Sequence, residues 1–175
     1  MPLTPLHYPV AYVLSKLHKK LTLPGLAVGS MFPDLEIPIV FLLVGTDRLV
    51  LHSLLGAATI GTLLSVLFTV SIYPLVISSV FGIDEEKVQE QTRPSLNLVF
   101  SCLVGNLSHV ALDFLNHLDN PLFWPLSPST LSPICVALGG LETSFWIVHT
   151  ILIVLFVTLL ITQRDNVWEK LLVGE

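Results

Sequence analysis

Long apolar runs separated by short polar stretches dominate the chain. Five segments stand out, roughly Leu6 to Leu17, Leu23 to Val44, Leu49 to Phe81, Ser95 to Leu118 and Ser144 to Thr162. A helix needs about 20 apolar residues to cross a hydrocarbon core of about 30 Å, so the last four are long enough and the first is short. The third carries no charge from Ser53 to Ile83 and is longer than one crossing requires; Pro74 within it predicts a kink or an exit into the interface. An acidic connection (Asp84 to Pro94) and a Pro-rich one (Asn120 to Gly140) separate the later segments, and polarity rises again from Gln163. The pattern predicts an all-α, multi-pass helical membrane protein with about 4–5 membrane segments. One helical membrane domain is expected over residues 1–162, followed by a polar C-terminal tail over 163–175.

Composition supports the membrane reading: mean hydropathy is +0.80 and only 12% of the 175 residues are charged, both far from soluble averages. The two cysteines, Cys102 and Cys135, have no CxxC spacing, so they suit apolar packing better than a disulfide framework or a thiolate zinc site. The N-terminus places its basic residues after its apolar stretch, the reverse of a signal peptide, and is expected to belong to the mature protein. Net charge is −5, and no basic stripe interleaved with aromatics suggests nucleic acid as a partner; membrane lipid is the expected one.

Placement of the basic residues matters more than their sum. If all five segments cross, Lys16, Lys19, Lys20, Lys87, Arg93, Arg164 and Lys170 fall on one side, and Arg48 is the only one of the eight Lys and Arg on the other. The positive-inside rule then puts the larger group in the cytoplasm and the N-terminus outside.

The polar residues inside this apolar chain are His7, Asp34, Glu36, His52, His109, Asp113, His117, Glu142 and His149. In the five-crossing arrangement, those at segment ends all reach the non-cytoplasmic side. Asp34 and Glu36 lie mid-segment in GSMFPDLEIP, where Pro33 and Pro38 interrupt a helix and free backbone groups that must be satisfied by protein or water. His109, Asp113 and His117 recur every fourth residue, which puts them on one helical stripe. Ionisable groups well inside a membrane cost at least about 2.5 kcal/mol each on insertion scales, so the His109–Asp113 pair calls for a partner or a function. Imidazole and carboxylate donors without thiolate suit a divalent metal: zinc, manganese or iron. By contrast, His149 suits a packing histidine, His18 an interfacial residue, and Asp119 and Asn120 the turn that follows the stripe.

At these residues the chain resembles the membrane-bound metal-dependent hydrolases of the YdjM type, inner-membrane proteins of bacteria and archaea. The early His7 in PLHYP, GSMFPDLEIP, DRLVLHSLL and GNLSHVALDFLNHLDNPLFWP resemble the family's blocks in order, over roughly residues 1 to 127. The resemblance implies His7, Asp34, His52, His109 and Asp113 as metal ligands. Glu36 stands where the family has a second aspartate, and Asp47 where it has the first histidine of a His-Arg pair. The family has also been likened to zinc-dependent phospholipases C, all-helical enzymes with zinc held by His and Asp.

The function expected from this reading is a metal-dependent hydrolase, of zinc type in its ligand chemistry, acting on a phosphoester or lipid-linked substrate at the outer membrane face. Glu36 and His117 are its candidate catalytic residues, as base or as partners of the ligands. Three alternatives compete: a metal or proton transporter or sensor using the same cavity, a non-catalytic membrane protein with a structural metal, and haem ligation by histidines between helices. The absence of His and charged residues in the inner halves of the third and fifth segments weighs against a through-path, and the carboxylates weigh against haem.

Overall fold

A computed structural model describes residues 3–45 and 48–174 of the chain. A single 3-10 turn, Thr4–His7, leads into α1 (Tyr8–Leu17). The next apolar segment divides into α2 (Leu23–Met31), a 3-10 turn (Phe32–Leu35) and α3 (Glu36–Val44). Pro33 sits in the first turn of the 3-10 piece, where its missing N–H and fixed φ break the α ladder at little cost. Then come α4 (Leu54–Ser71), α5 (Tyr73–Phe81), α6 (Glu85–Thr92) and α7 (Leu96–Asn116). A two-residue antiparallel pairing, β1 (Asp119–Asn120) with β2 (Thr130–Leu131), closes the Pro-rich connection. The chain finishes with α8 (Pro133–Ala137), α9 (Leu141–Thr162) and α10 (Val167–Leu172).

Four stretches are long and apolar enough to cross a membrane: Leu23–Val44, Leu54–Ser71, Leu96–Asn116 and Leu141–Thr162. The fold is therefore all-α and multi-pass, as the hydrophobic pattern predicts. α1, at ten residues, is too short to span. The overlong third segment divides at Ile72, with Pro74 in the first turn of α5, so its excess length becomes a second, separate helix. Local signals set the remaining boundaries. Ser95 accepts the Leu98 N–H at the start of α7, Asp84 accepts the Glu86 N–H at the start of α6, and Gly45 ends α3 at φ +77°, a left-handed cap that glycine adopts without strain. Inside α4, a π turn at Ala57–Gly61 widens the helix.

The centre of the bundle is the crossing of α2 and α7, which run in the same direction. Thr22 N–H donates to Ser101 Oγ at one end (2.8 Å), and Ser30 pairs with His109 at the other. Small residues permit the approach. A Cβ on Gly29 would lie 2.5 Å from the Cys102 carbonyl oxygen, and one on Gly105 would lie 2.6 Å from that of Leu26. Close backbone approach at Gly is a common way for membrane helices to associate, because lipid tails supply no hydrophobic drive between them. α9, by contrast, is mostly lipid-facing, with only 17% of its most apolar window buried.

The C-terminal segment, polar in sequence, is anchored. Leu171 packs with Tyr8, Tyr12, Leu23 and Ala27, and Val173 with Val28, Tyr73, Ile77 and Val88. Hydroxyls of Tyr8 and Tyr73 donate to the carbonyls of Leu171 and Leu172, and Lys87 pairs with Glu169. Lys16 donates to Gly174 O, so much of the basic group gathers at the end of the bundle that this segment closes.

Candidate metal centre

Five side chains from four separate pieces of chain converge near the C-terminal turns of α7. His7 comes from the first 3-10 turn, Asp34 from the second, His52 from the stretch preceding α4, and His109 and Asp113 from α7. All are at most 7% exposed, and His7 and His109 are fully buried. His109 lies roughly seven residues, or about 10 Å at 1.5 Å per residue, before the end of its helix, so the centre is recessed and not at the surface.

The donor atoms approach one another without bonding. His109 Nε2 lies 3.5 Å from Asp34 Oδ1 and 3.8 Å from Asp113 Oδ2. His52 Nε2 lies 3.6 Å from Asp34 Oδ1 and 3.7 Å from Asp113 Oδ2, and His7 Nε2 is 3.8 Å from Asp113 Oδ1. Two donors bound at about 2.0–2.1 Å to one tetrahedral ion would lie roughly 3.3 Å apart, so these separations are a little wider than ligands sharing an ion. The same atoms lack hydrogen bonds among the described residues: both nitrogens of His7, both oxygens of Asp34 and of Asp113, and Nε2 of His52 and His109. A buried polar atom without a partner costs about 1–3 kcal/mol, a cost that a metal ion shared by these atoms would relieve. Two overlapping groups, His7–Asp34–His109 and His52–His109–Asp113, bring their donor atoms within 4.8 Å of one another and could hold a metal ion, with His109 common to both.

The far nitrogens of His52 and His109 are already engaged, which fixes what these two rings present inward. His109 Nδ1 donates to Ser30 O at 2.8 Å, so its Nε2 lone pair is presented to the centre. His52 Nδ1 donates to Glu36 Oε2 at 3.2 Å, and the Glu36 carboxylate accepts the Val50 and Leu51 N–H groups at 2.6 and 2.7 Å. The chain leaving α3 at Val44 is thus back beside the first residue of α3 by Val50. Such outer partners set tautomer and ring orientation in metal-bound histidines. The His7 ring stacks on His109, centroids 4.0 Å apart. Burial, and next the neighbouring His109, pull the His7 pKa down to about 3, so its nitrogens stay neutral at physiological pH, the state in which imidazole binds metal.

The other sequence candidates lie elsewhere. Glu36 stands behind His52, and His117, half-buried at the end of α7, accepts from Arg48 Nη2 at 2.9 Å. Burial and then the Arg48 guanidinium lower the His117 pKa to about 3. His149 donates to Phe145 O of its own helix and stacks on the Phe145 ring. Glu142 is exposed in the first turn of α9, and Asp47 lies outside the described residues.

Arg48 is a site residue that the sequence reading treats only as the lone outer cation. It is 8% exposed, with Nε 3.3 Å from Asp113 Oδ2. Its place four residues before His52, as the one Lys or Arg between Lys20 and Lys87, was the available signal. Together the carboxylates of Asp34, Glu36 and Asp113 exceed the charge of Arg48 by two, which one divalent cation would neutralise.

The chain matches the model of the YdjM inner membrane protein family over residues 7–173 and belongs to that family. Among curated proteins and solved structures, none matches it.

Proposed function

We propose that this YdjM-family membrane protein is a metal-dependent hydrolase of a phosphoester or lipid-linked substrate, its site opening on the non-cytoplasmic side. The observation that carries the reading is the convergence of buried imidazole and carboxylate atoms without hydrogen bonds from His7, Asp34, His52, His109 and Asp113. Zinc suits these donors best, with manganese or iron as substitutes. A divalent ion held there supplies Lewis acidity and a water acidified towards neutrality.

The chain's own residues do the rest. His52 and His109 hold their inward nitrogens in place through Glu36 and the Ser30 carbonyl. Both Glu36 oxygens already accept hydrogen bonds, which favours a positioning role for Glu36 over that of a base. His117, held neutral, keeps the Arg48 guanidinium in register with Asp113. Inward of the centre, α2 and α7 close on each other at Gly29 and Gly105, which favours a site entered from one side over a transport path.

The deciding experiment is metal analysis of detergent-purified protein, followed by a phosphoester and lipid screen with and without chelator. About one equivalent of tightly bound transition metal is expected, lost in His109→Ala and Asp113→Ala. A metal content that these substitutions leave unchanged would sink the reading. Metal without chelator-sensitive turnover on any phosphoester would leave a structural site in its place.

A further inference from the structure

Two apolar grooves meet at the turn that delivers Asp34. The first, about 410 Å³, runs between α3 and α4 and is lined by Leu35, Ile39, Leu51, Ile60 and Leu64, among others. The second, about 280 Å³, runs along α2 and α5 and is lined by Val28, Met31, Phe68, Val76 and Ile77, among others. Phe32 and Leu35 line both grooves. Side chains three apart in a 3-10 turn eclipse one another, so these two form a single ridge. Leu35 is 52% exposed on that ridge, whereas Asp34, between them, is 7% exposed in the metal centre. The grooves are on the scale of small-molecule pockets, roughly 300 Å³ and above.

Resting on the hydrolase reading above, we infer that the substrate is a two-chain membrane phospholipid, straddling the Phe32–Leu35 ridge with one hydrocarbon chain in each groove. Several observations point to this occupant. Among the described residues, the only ionic group in either groove wall is Glu36, and its carboxylate is turned to the Val50 and Leu51 N–H groups and to His52. The grooves border membrane-spanning helices, where hydrocarbon is the available ligand. Both also share the Phe32–Leu35 turn that bears Asp34, so a lipid whose two chains diverge at this ridge has its polar end close to the turn that delivers a donor to the centre. Transfer of a chain from lipid into a groove gains little, because the tails are as apolar as the walls. The grooves therefore act on register: they hold the scissile bond where the centre can reach it.

The test uses the full-length, metal-loaded chain in nanodiscs doped with a phosphatidylglycerol carrying a diazirine on an acyl chain. Crosslinks are expected at Ile60 and Leu64 and also at Val76 and Ile77, at higher density than at Ile151 and Val154 on the open face of α9. Ile60→Trp should abolish the first set and Val76→Trp the second; both replace side chains that are exposed to lipid, 49% and 44%. Each should also lower turnover of the two-chain lipid by about tenfold or more while sparing a short-chain soluble phosphoester. Crosslinking no denser than on α9, or confined to one groove as a single polyprenyl chain would give, overturns the inference. The crosslinking readout needs no catalysis. Labelled grooves without hydrolysis would sink the hydrolase reading alone. Turnover of a soluble phosphoester with unlabelled grooves would sink the two-chain lipid alone.

Discussion

Glu36 is one contact removed from the centre, and that position defines what its loss should do. Its carboxylate joins the backbone of Val50 and Leu51 to the His52 ring. In Glu36→Gln the amide nitrogen can no longer accept one of those bonds, and the charge that favours the donating Nδ1 tautomer is gone. Metal affinity should fall about 10–100-fold, measured by competition with a chromogenic chelator; wild-type affinity would show that His52 is positioned by something else. At His117 the sign of the pH effect follows from the direction of its shift. Its folded pKa is lowered from 6.5 to about 3, so on acidification below 6.5 the unfolded chain takes up a proton that the folded one refuses. The stability contributed by neutral His117 is present in full above 6.5 and is lost as pH falls towards about 3. The melting temperature in detergent should therefore drop more steeply from about pH 7 to about pH 4 in wild type than in His117→Gln, and equal slopes would contradict this. At this scale the candidate ligands were legible because a His or Asp in an apolar run is costly enough to demand a reason. For Glu36 the pattern left base and ligand partner both open, and it missed the role of Arg48, because both depend on the chain turning back at Val50, which no local pattern encodes.

The α2–α7 crossing is where helix packing and metal ligation become one problem. Ser30 belongs to α2 and His109 to α7, and the 2.8 Å bond between them exists only because Gly29 and Gly105 let the backbones touch. Gly105→Ala would place a methyl 2.6 Å from the Leu26 carbonyl and 2.9 Å from Ser30 N, both backbone atoms that cannot swing aside. The helices must separate, at about 1–3 kcal/mol of overpacking. A lower melting temperature and weaker metal retention are expected together; a variant with both unchanged would show that the helices have room to spare. Hydrophobic length predicted where the helices lie, and Pro74 predicted the division between α4 and α5. The pattern did not reveal that Gly25, Gly29 and Gly105 form one seam, because they come from segments far apart in sequence. It also missed the anchoring of Leu171 and Val173, whose polar neighbours mask two buried apolar residues in a stretch that reads as tail.

For the whole molecule, the remaining question is which way the centre faces. The charge asymmetry has a structural counterpart: Lys16 and Lys87 contact the C-terminal segment at one end of the bundle, and Arg48 lies beside Asp113 near the other. α2 and α7 run in parallel, as the first and third of four alternating crossings must. Positive-inside sorting of these ends predicts that the Pro-rich connection and the centre face outward, which would make the outer leaflet the substrate pool. Two single-cysteine probes divide the cases. Ser129→Cys, on the exposed connection, should react with a membrane-impermeant maleimide in intact cells, whereas Glu90→Cys in α6 should react only after permeabilisation. The native Cys102 and Cys135 are both fully buried and should contribute little background. The reverse pattern would turn the centre towards the cytoplasm while leaving its ligands and chemistry as they are.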